Sequence, residues 1–143
     1  MVIVKIIVKT SIVFMFLFGG FSSLHAQSAQ VPENGVIAYY FHGNFRCVSC
    51  RKIEEYTKET IENDFSRELA RGELVFDVVN IEKPENSHFV EDYQLYTRSV
   101  VIVRIEDGKE VKYKNLEKVW EYLGDKQKFS EYVRTEINNL LKS

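Results

Sequence analysis

The chain has 143 residues, 45% of them hydrophobic, which is the length and composition of one globular domain with a buried core. It carries 19 Lys and Arg against 21 Asp and Glu, a formal charge of −2 at pH 7 with the two signs interspersed. This balance excludes the basic surface typical of nucleic-acid-binding domains, so we expect no nucleic-acid partner.

The N-terminal segment has the pattern of a secretory signal peptide. Lys5 and Lys9 form its positive end, the apolar run Ser11–Phe21 follows, and small and polar residues lead to Ala26. We therefore predict cleavage after Ala26 and export to the bacterial periplasm or the medium. A retained membrane anchor is the alternative, because the apolar region is nearly long enough to span a bilayer.

The predicted cleavage site sets the domain boundaries. Residues 1–26 are the predicted signal peptide, residues 27–35 a polar lead-in, and residues 36–143 one folded domain. Cleavage after Ala29 remains an alternative. For cleavage after Ala26, Leu24 occupies the third position before the cut, where signal peptidases favour a smaller side chain. After removal of the leader, we expect a monomer that does not associate with membranes.

Four segments rich in β-branched and aromatic residues predict strands. They are Val36–Phe41, Leu74–Asn80, Val100–Val103 and Glu110–Lys114. The Asp107-Gly108 pair between the last two segments is a strong signal for a tight hairpin turn. The last two strands are therefore expected to be antiparallel neighbours.

Apolar residues at helical spacing predict four helices between and after these strands. One long helix begins at Cys47 and closes at Arg71-Gly72, and the last helix begins near Lys126. A third helix follows the turn at Pro84, with an apolar face formed by Phe89, Val90, Tyr93 and Leu95. A fourth is capped by Asn115, with an apolar face formed by Leu116, Val119, Trp120 and Leu123. The order β-α-β-α-β-β-α predicts an α/β fold with a central mixed four-stranded sheet flanked by helices.

The only two cysteines, Cys47 and Cys50, have the C-x-x-C spacing at the start of the long predicted helix. Free backbone N–H groups and the helix dipole at this end favour a thiolate on the first cysteine. Arg46 and Arg51 flank the pair and either add positive potential, bind an anionic substrate, or are simply solvated. The position predicts reversible dithiol–disulfide chemistry, with Cys47 as the nucleophile and Cys50 as the resolving thiol.

Three other interpretations of the pair stay open at this point. A structural disulfide would close a very small loop and stabilise the fold little. A structural zinc site needs two more ligands, and after the leader only His42 and His88 remain. A soft metal or metalloid held by both thiolates is the main functional alternative. His42 is either a proton acceptor or ligand near Cys47 or a solvated strand end, and His88 is expected on the surface.

The residues around the cysteines and elsewhere in the chain resemble a known fold and a known family. The layout over 36–143 resembles the thioredoxin fold. The finer resemblance is to the ArsF family of nitrophenyl-compound nitroreductase subunits, small exported bacterial proteins with a C-x-x-C pair. It is carried by Tyr40–Glu54, Val79-Asn80, Glu85-Asn86, Tyr93–Tyr96 and Asn115–Trp120.

This resemblance implies a thiol electron donor to an unidentified redox partner protein. Nitroreductases need a flavin or another electron carrier, and the sequence has no flavin-binding signature. We therefore expect no cofactor other than the redox-active Cys47–Cys50 disulfide. Enzymatic activity as a thiol–disulfide oxidoreductase, by itself or as a subunit of a reductase system, is the implied function.

Two departures from ordinary thioredoxins concern the same site. Val48-Ser49 stands where thioredoxins have Gly-Pro, and Ser99 stands where they have a cis-proline facing the cysteines. The preceding Arg98 is expected to face the site with Ser99. Because a cis bond before a non-proline residue costs roughly 2.5–4 kcal/mol, we expect the Arg98–Ser99 bond to be trans. The first strand also lacks an acidic residue that could serve as a buried proton acceptor.

Overall fold

The computed structural model describes residues 31–143, so the predicted signal peptide and its cleavage sites lie outside the described residues. Four strands form one sheet in the order β2-β1-β3-β4, with β1 parallel to β2, β3 antiparallel to β1, and β4 antiparallel to β3. The strands are β1 Gly35–His42, β2 Leu74–Asn80, β3 Ser99–Glu106 and β4 Lys109–Asn115. Helices flank this mixed sheet, which confirms the predicted α/β class and the thioredoxin-like layout.

The hairpin between β3 and β4 turns at the predicted residues. Asp107 and Gly108 have φ angles of 50° and 69°. Two consecutive positive φ angles are the requirement of the tight turn that matches the twist of antiparallel strands, and Asp-Gly meets it at low cost.

The long helix predicted after β1 is in fact two helices. The first, α1, covers Val48–Asp64 and the second, α2, covers Ser66–Ala70. Between them, Phe65 leaves helical geometry with φ −128° and ψ 27°, while its side chain stays buried in the core. The prediction of one continuous helix was wrong because burial of Phe65 fixes a change of direction that periodicity alone does not reveal.

The segment after β2 is much less helical than its apolar pattern predicts. A 3-10 turn covers Pro84–Asn86, and the helix α3 has only four residues, Phe89–Asp92. Gln94 adopts φ 50°, and the Leu95 N–H donates to the Val90 carbonyl at 2.9 Å. This bond across five residues is a helix C-terminal motif, so the chain turns early and buries Leu95 instead of extending the helix.

The helix predicted after Asn115 was also wrong. Asn115 is the last residue of β4 rather than a helix cap, and two 3-10 segments follow, Glu117–Val119 and Glu121–Gly124. The last helix, α4, covers Lys126–Leu141 and begins where the sequence predicts. The Asp125 side chain accepts the Lys128 N–H at 3.1 Å and caps that helix.

The alternation of side chains along β1 divides the core into two faces of the sheet. On one, which we call the helical face, Val36, Ala38 and Tyr40 pack against α1 and α4. On the other, the aromatic face, Ile37 and Phe41 pack with residues that follow β2 and with β3. The rings of the aromatic face belong to Tyr39, Phe41, Phe89, Tyr93 and Tyr113. Within residues 31–143, no helix is long and apolar enough to cross a membrane.

Candidate redox site

Cys47 and Cys50 are joined in a disulfide at the first turn of α1, with their Cα atoms 5.0 Å apart. Cys47 is the N-cap residue, and its Sγ accepts the Cys50 N–H at 3.1 Å. Cys47 is half-exposed, whereas Cys50 is only 2% exposed. One cysteine of the pair is therefore partly exposed and the other is covered, as an attacking and a resolving cysteine require.

The loop that leads from β1 to Cys47 is tied to the residues at the end of β2. The Asn44 N–H donates to Glu82 Oε2 at 3.0 Å, and the Asn80 amide donates to Asn44 Oδ1 at 2.8 Å. A Cβ atom at Gly43 would collide with Glu82 Oε1, so a larger residue there would displace the carboxylate that binds the Asn44 N–H. These contacts hold the approach to Cys47 in one conformation.

The two arginines beside the cysteines have different surroundings. Arg46 forms an ion pair with Glu54 of α1, and its guanidinium carbon lies 5.9 Å from the centre of the Tyr40 ring. Arg51 is exposed on the first turn of α1, and its backbone N–H donates to the Cys47 carbonyl at 3.1 Å. Glu54 offsets part of the positive charge that Arg46 brings to the site, while Arg51 projects toward solvent.

Neither histidine bonds to a cysteine among the contacts of the described chain. His42, the last residue of β1, is half-buried, and its Nδ1 lies 2.8 Å from the Gly43 carbonyl oxygen. His88 is on the surface, with Nδ1 2.7 Å from Asp92 Oδ2. No cluster of three or more His, Cys, Asp or Glu residues that could hold a metal ion occurs in residues 31–143.

Ser99 and Arg98 lie where β3 begins, next to the end of β1. Ser99 pairs with Phe41 in the sheet, is buried, and donates its hydroxyl to the Thr97 carbonyl at 2.9 Å. The Arg98–Ser99 bond is trans, because no peptide bond in the part of the chain that the structure describes is cis. The Arg98 guanidinium donates to the Phe45 carbonyl at 3.3 Å, so this arginine reaches the cysteine loop.

Trp120 has a polar role beyond the core position that sequence periodicity assigns to it. Its indole N–H donates to the Arg98 carbonyl at 2.9 Å. A cavity of about 200 Å³ lies beside this bond and is lined by Tyr96, Thr97, Ser99, Asn115, Leu116, Glu117 and Trp120. The backbone oxygen of Arg98 is thus already engaged within the protein.

Three large apolar side chains in segments that belong to the site are exposed to solvent. Phe45 and Val48 belong to the segment around Cys47, and Tyr96, with 94% of its surface exposed, precedes Arg98 by two residues. Large exposed apolar side chains are candidates for contact with a binding partner. We refer to Phe45, Val48 and Tyr96 as the apolar rim.

Tyr40 is the site residue that the sequence does not single out. It is fully buried on β1, and its hydroxyl donates to the Cys50 carbonyl at 2.6 Å. Burial raises the pKa of the Tyr40 phenol, although the charges of Arg46 and Arg98 act in the opposite direction. The phenol is therefore a permanent hydrogen-bond donor at neutral pH, in a strand that has no carboxylate.

No protein-family model matches this sequence, and no curated protein matches it either. The chain is similar to solved thioredoxin structures. The oxidised thioredoxin of Plasmodium falciparum is 13% identical with a TM-score of 0.46, over 75% of this chain and 86% of that chain. The thioredoxin of Trypanosoma brucei brucei is 18% identical with a TM-score of 0.43, over 76% of this chain and 80% of that chain. The thioredoxin of Fasciola hepatica is 22% identical with a TM-score of 0.38, over 64% of this chain and 81% of that chain.

At this level of similarity, the fold assignment depends on the strand order and on the position of the cysteines after β1. The resemblance to the ArsF family stays a prediction, because no family model matches.

Proposed function

We propose that this protein is an exported thiol–disulfide oxidoreductase or thiol electron donor that works through Cys47 and Cys50. The observation that carries the proposal is the asymmetry of the pair at the first turn of α1. The Sγ of the partly exposed Cys47 accepts a backbone N–H, and Cys50 lies buried one turn further along. A helix N-terminus favours the thiolate form of such a sulfur, so Cys47 is the attacking group.

A purely structural role for the disulfide has less support. The bond joins residues only three positions apart, and a loop this small removes little entropy from the unfolded chain. The helix is also held without it, because α1 packs against α4 and β1 through buried residues such as Ile53 and Ile61. A disulfide that adds little stability and leaves one cysteine partly exposed is better suited to thiol–disulfide exchange than to a structural role.

The apolar rim supports a substrate or partner that offers apolar surface to Cys47. Phe45 and Val48 lie on either side of Cys47 along the chain, and Tyr96 belongs to the loop whose Arg98 donates to the Phe45 carbonyl. The donor role suggested by the family resemblance requires such a partner, which receives two electrons as the dithiol becomes a disulfide.

The metal-binding alternative has two thiolates as its ligands and gains no third from the described residues. Metal binding is therefore not proposed beside the redox function, and the redox titration described next tests it as one of the outcomes.

The test is a redox titration of the mature protein in glutathione buffers, with the thiol state determined by alkylation and mass spectrometry. We expect a reversible two-electron transition that added zinc or arsenite leaves in place. A pair that stays oxidised throughout the titration contradicts exchange chemistry, and protection of the reduced form by metal at equimolar concentration favours the metal site.

The roles of the two cysteines are tested by trapping. Cys50→Ser leaves the half-exposed Cys47 free to form stable mixed disulfides with partner proteins, whereas Cys47→Ser is expected to trap little. Equal trapping by both variants, or more trapping by Cys47→Ser, contradicts the assignment. Mass spectrometry of protein from the envelope fraction tests export, and a retained Met1 contradicts cleavage.

A further inference from the structure

The resolving cysteine is held through its own backbone from two sides. Its N–H donates to Cys47 Sγ at 3.1 Å, and its carbonyl accepts the Tyr40 hydroxyl at 2.6 Å. A carbonyl oxygen has two lone pairs, so the Cys50 carbonyl can accept from Tyr40 in addition to a helical N–H. The bond joins β1 directly to the turn that carries both sulfurs.

Tyr40 is itself fixed on all sides. Its ring is fully buried on the helical face, among residues of α1, β3 and α4. The guanidinium of Arg46 lies over the ring, and the same guanidinium pairs with Glu54, which follows Cys50 by one turn of α1. A side chain fixed in this way positions whatever its hydroxyl binds.

We propose that Tyr40 is a positioning residue for the resolving step, in which Cys50 attacks the mixed disulfide between Cys47 and a substrate. The inference rests on the proposed exchange function. The Cys50 thiol first loses its proton to water, and its sulfur then bonds to Cys47 Sγ. The bond from Cys47 to the substrate sulfur breaks, and the departing thiolate takes a proton from water. The substrate disulfide is reduced by two electrons and the cysteine pair is oxidised.

The physical reason is the geometry that displacement at sulfur demands. Cys50 must approach Cys47 Sγ along the axis of the bond that breaks, and small misplacements of reacting groups cost up to about a hundredfold in rate. The Tyr40 hydrogen bond fixes the position of the Cys50 backbone relative to Cys47. The attack by Cys47 on the substrate does not involve Cys50. The two steps should therefore respond differently to loss of the phenol hydroxyl.

The experiment mixes reduced, full-length mature protein with an aromatic disulfide whose released thiolate is coloured. Attack by Cys47 releases the first thiolate, and attack by Cys50 on the mixed disulfide releases the second. We expect Tyr40→Phe to slow the second release by about tenfold to a hundredfold and to leave the first nearly unchanged. An unchanged second release, or an equal slowing of both, overturns the proposal.

The matched control is Thr57→Val. The buried Thr57 hydroxyl donates to the Ile53 carbonyl of α1 at 2.7 Å, so its removal also deletes a buried hydrogen bond to this helix. Both releases are expected to keep their wild-type rates in this variant. Slowing of the second release by Thr57→Val would mean that any loosening of α1 has the same effect, and this also overturns the proposal.

A rescue variant keeps the test decisive if Tyr40→Phe folds poorly. Site-specific p-aminophenylalanine at position 40 supplies an N–H donor on a ring of similar size and should restore the second release. Failure to restore it in a folded protein contradicts positioning by the hydrogen bond. A wild-type protein that releases only one thiolate contradicts the proposed function itself, and the role of Tyr40 with it.

Discussion

The two faces of the sheet are packed in different ways. On the helical face, two long helices, α1 and α4, cover β1 and bury aliphatic side chains together with rings such as Phe65 and Phe129. On the aromatic face, the helix α3 has only four residues, and stacked or tilted rings make many of the contacts. Both cysteines belong to the helical face, since Cys50 bonds to Tyr40 and α1 packs there.

Because of this difference, only the helical face offers a long, firmly packed helix to carry a reactive cysteine pair. A sulfur that must be placed to within a fraction of an ångström is best carried by a long element whose side chains are locked by packing. The helix α1 meets this condition, because Ile53 and Ile61 are fully buried and Thr60 bonds to Ser130 of α4 at 2.8 Å. The helix α3 has only one turn, and none of its four residues is buried.

The largest expected effect comes from a cavity in the helical face. Phe129 of α4 is fully buried and packs edge-on against Tyr56 of α1, so Phe129→Ala should lower the free energy of unfolding by about 3–5 kcal/mol. Because α1 loses its support, the midpoint of the redox titration should shift as well. Urea unfolding and the glutathione titration measure the two quantities.

The corresponding change on the aromatic face should be smaller and local. Phe89 is half-buried, so Phe89→Ala removes less apolar area and should cost about 1–2 kcal/mol. The redox midpoint should stay at its wild-type value. If Phe89→Ala moves that midpoint as far as Phe129→Ala does, the two faces are not separate and the comparison fails.

Alkaline pH should lower the stability of the protein through Tyr93 of the aromatic face. Burial, with help from the Glu110 carboxylate that accepts the Tyr93 hydroxyl at 2.7 Å, raises the pKa of Tyr93 far above its ordinary value. The unfolded chain loses this proton near pH 10. The stabilisation is therefore complete below pH 10 and is lost as the pH rises above it.

The variant Tyr93→Phe has no proton to lose, so its stability should fall less steeply between pH 9 and pH 11 than that of the wild type. At pH 8 it should be less stable by about 1 kcal/mol, because the hydrogen bond to Glu110 is gone. Tyr132→Phe on the helical face should flatten the curve over the same pH range, since burial also raises the pKa of Tyr132, to about 12. Parallel curves for wild type and Tyr93→Phe would refute this pH dependence.

The smallest expected effect concerns the surface of the helical face. Arg134 of α4 donates to Asp64 of α1 at 2.8 Å, and both side chains are partly exposed. Arg134→Gln should cost about 0.2–1 kcal/mol, and less in high salt. A loss of several kcal/mol would show that ion pairs, rather than apolar packing, hold α1 to α4.

Much of the fold can be predicted from local chemistry. The strand β2 is predicted residue for residue, the start of α4 is correct, and Asp107-Gly108 forms the expected turn. These elements depend on neighbouring residues, through β-branched runs, helical periodicity and positive φ angles. The helix predicted after the turn at Pro84 is only four residues long, and the helix predicted after Asn115 is replaced by two 3-10 segments, because apolar spacing alone does not reveal where tertiary contacts end a helix early.

By itself, the sequence determined the C-x-x-C pair, its place after the first strand, and the succession of strands along the chain. It could not determine which of two adjacent tyrosines serves the cysteines. Tyr39 and Tyr40 have the same chemistry, but successive side chains of a strand point to opposite faces. Only the packing of α1 on one face brings Tyr40 to Cys50 and leaves Tyr39 among the rings of the other. The same packing pairs Arg46 with Glu54 and brings Trp120 to Arg98, because contacts between residues distant in sequence exist only once the helices have docked on the sheet.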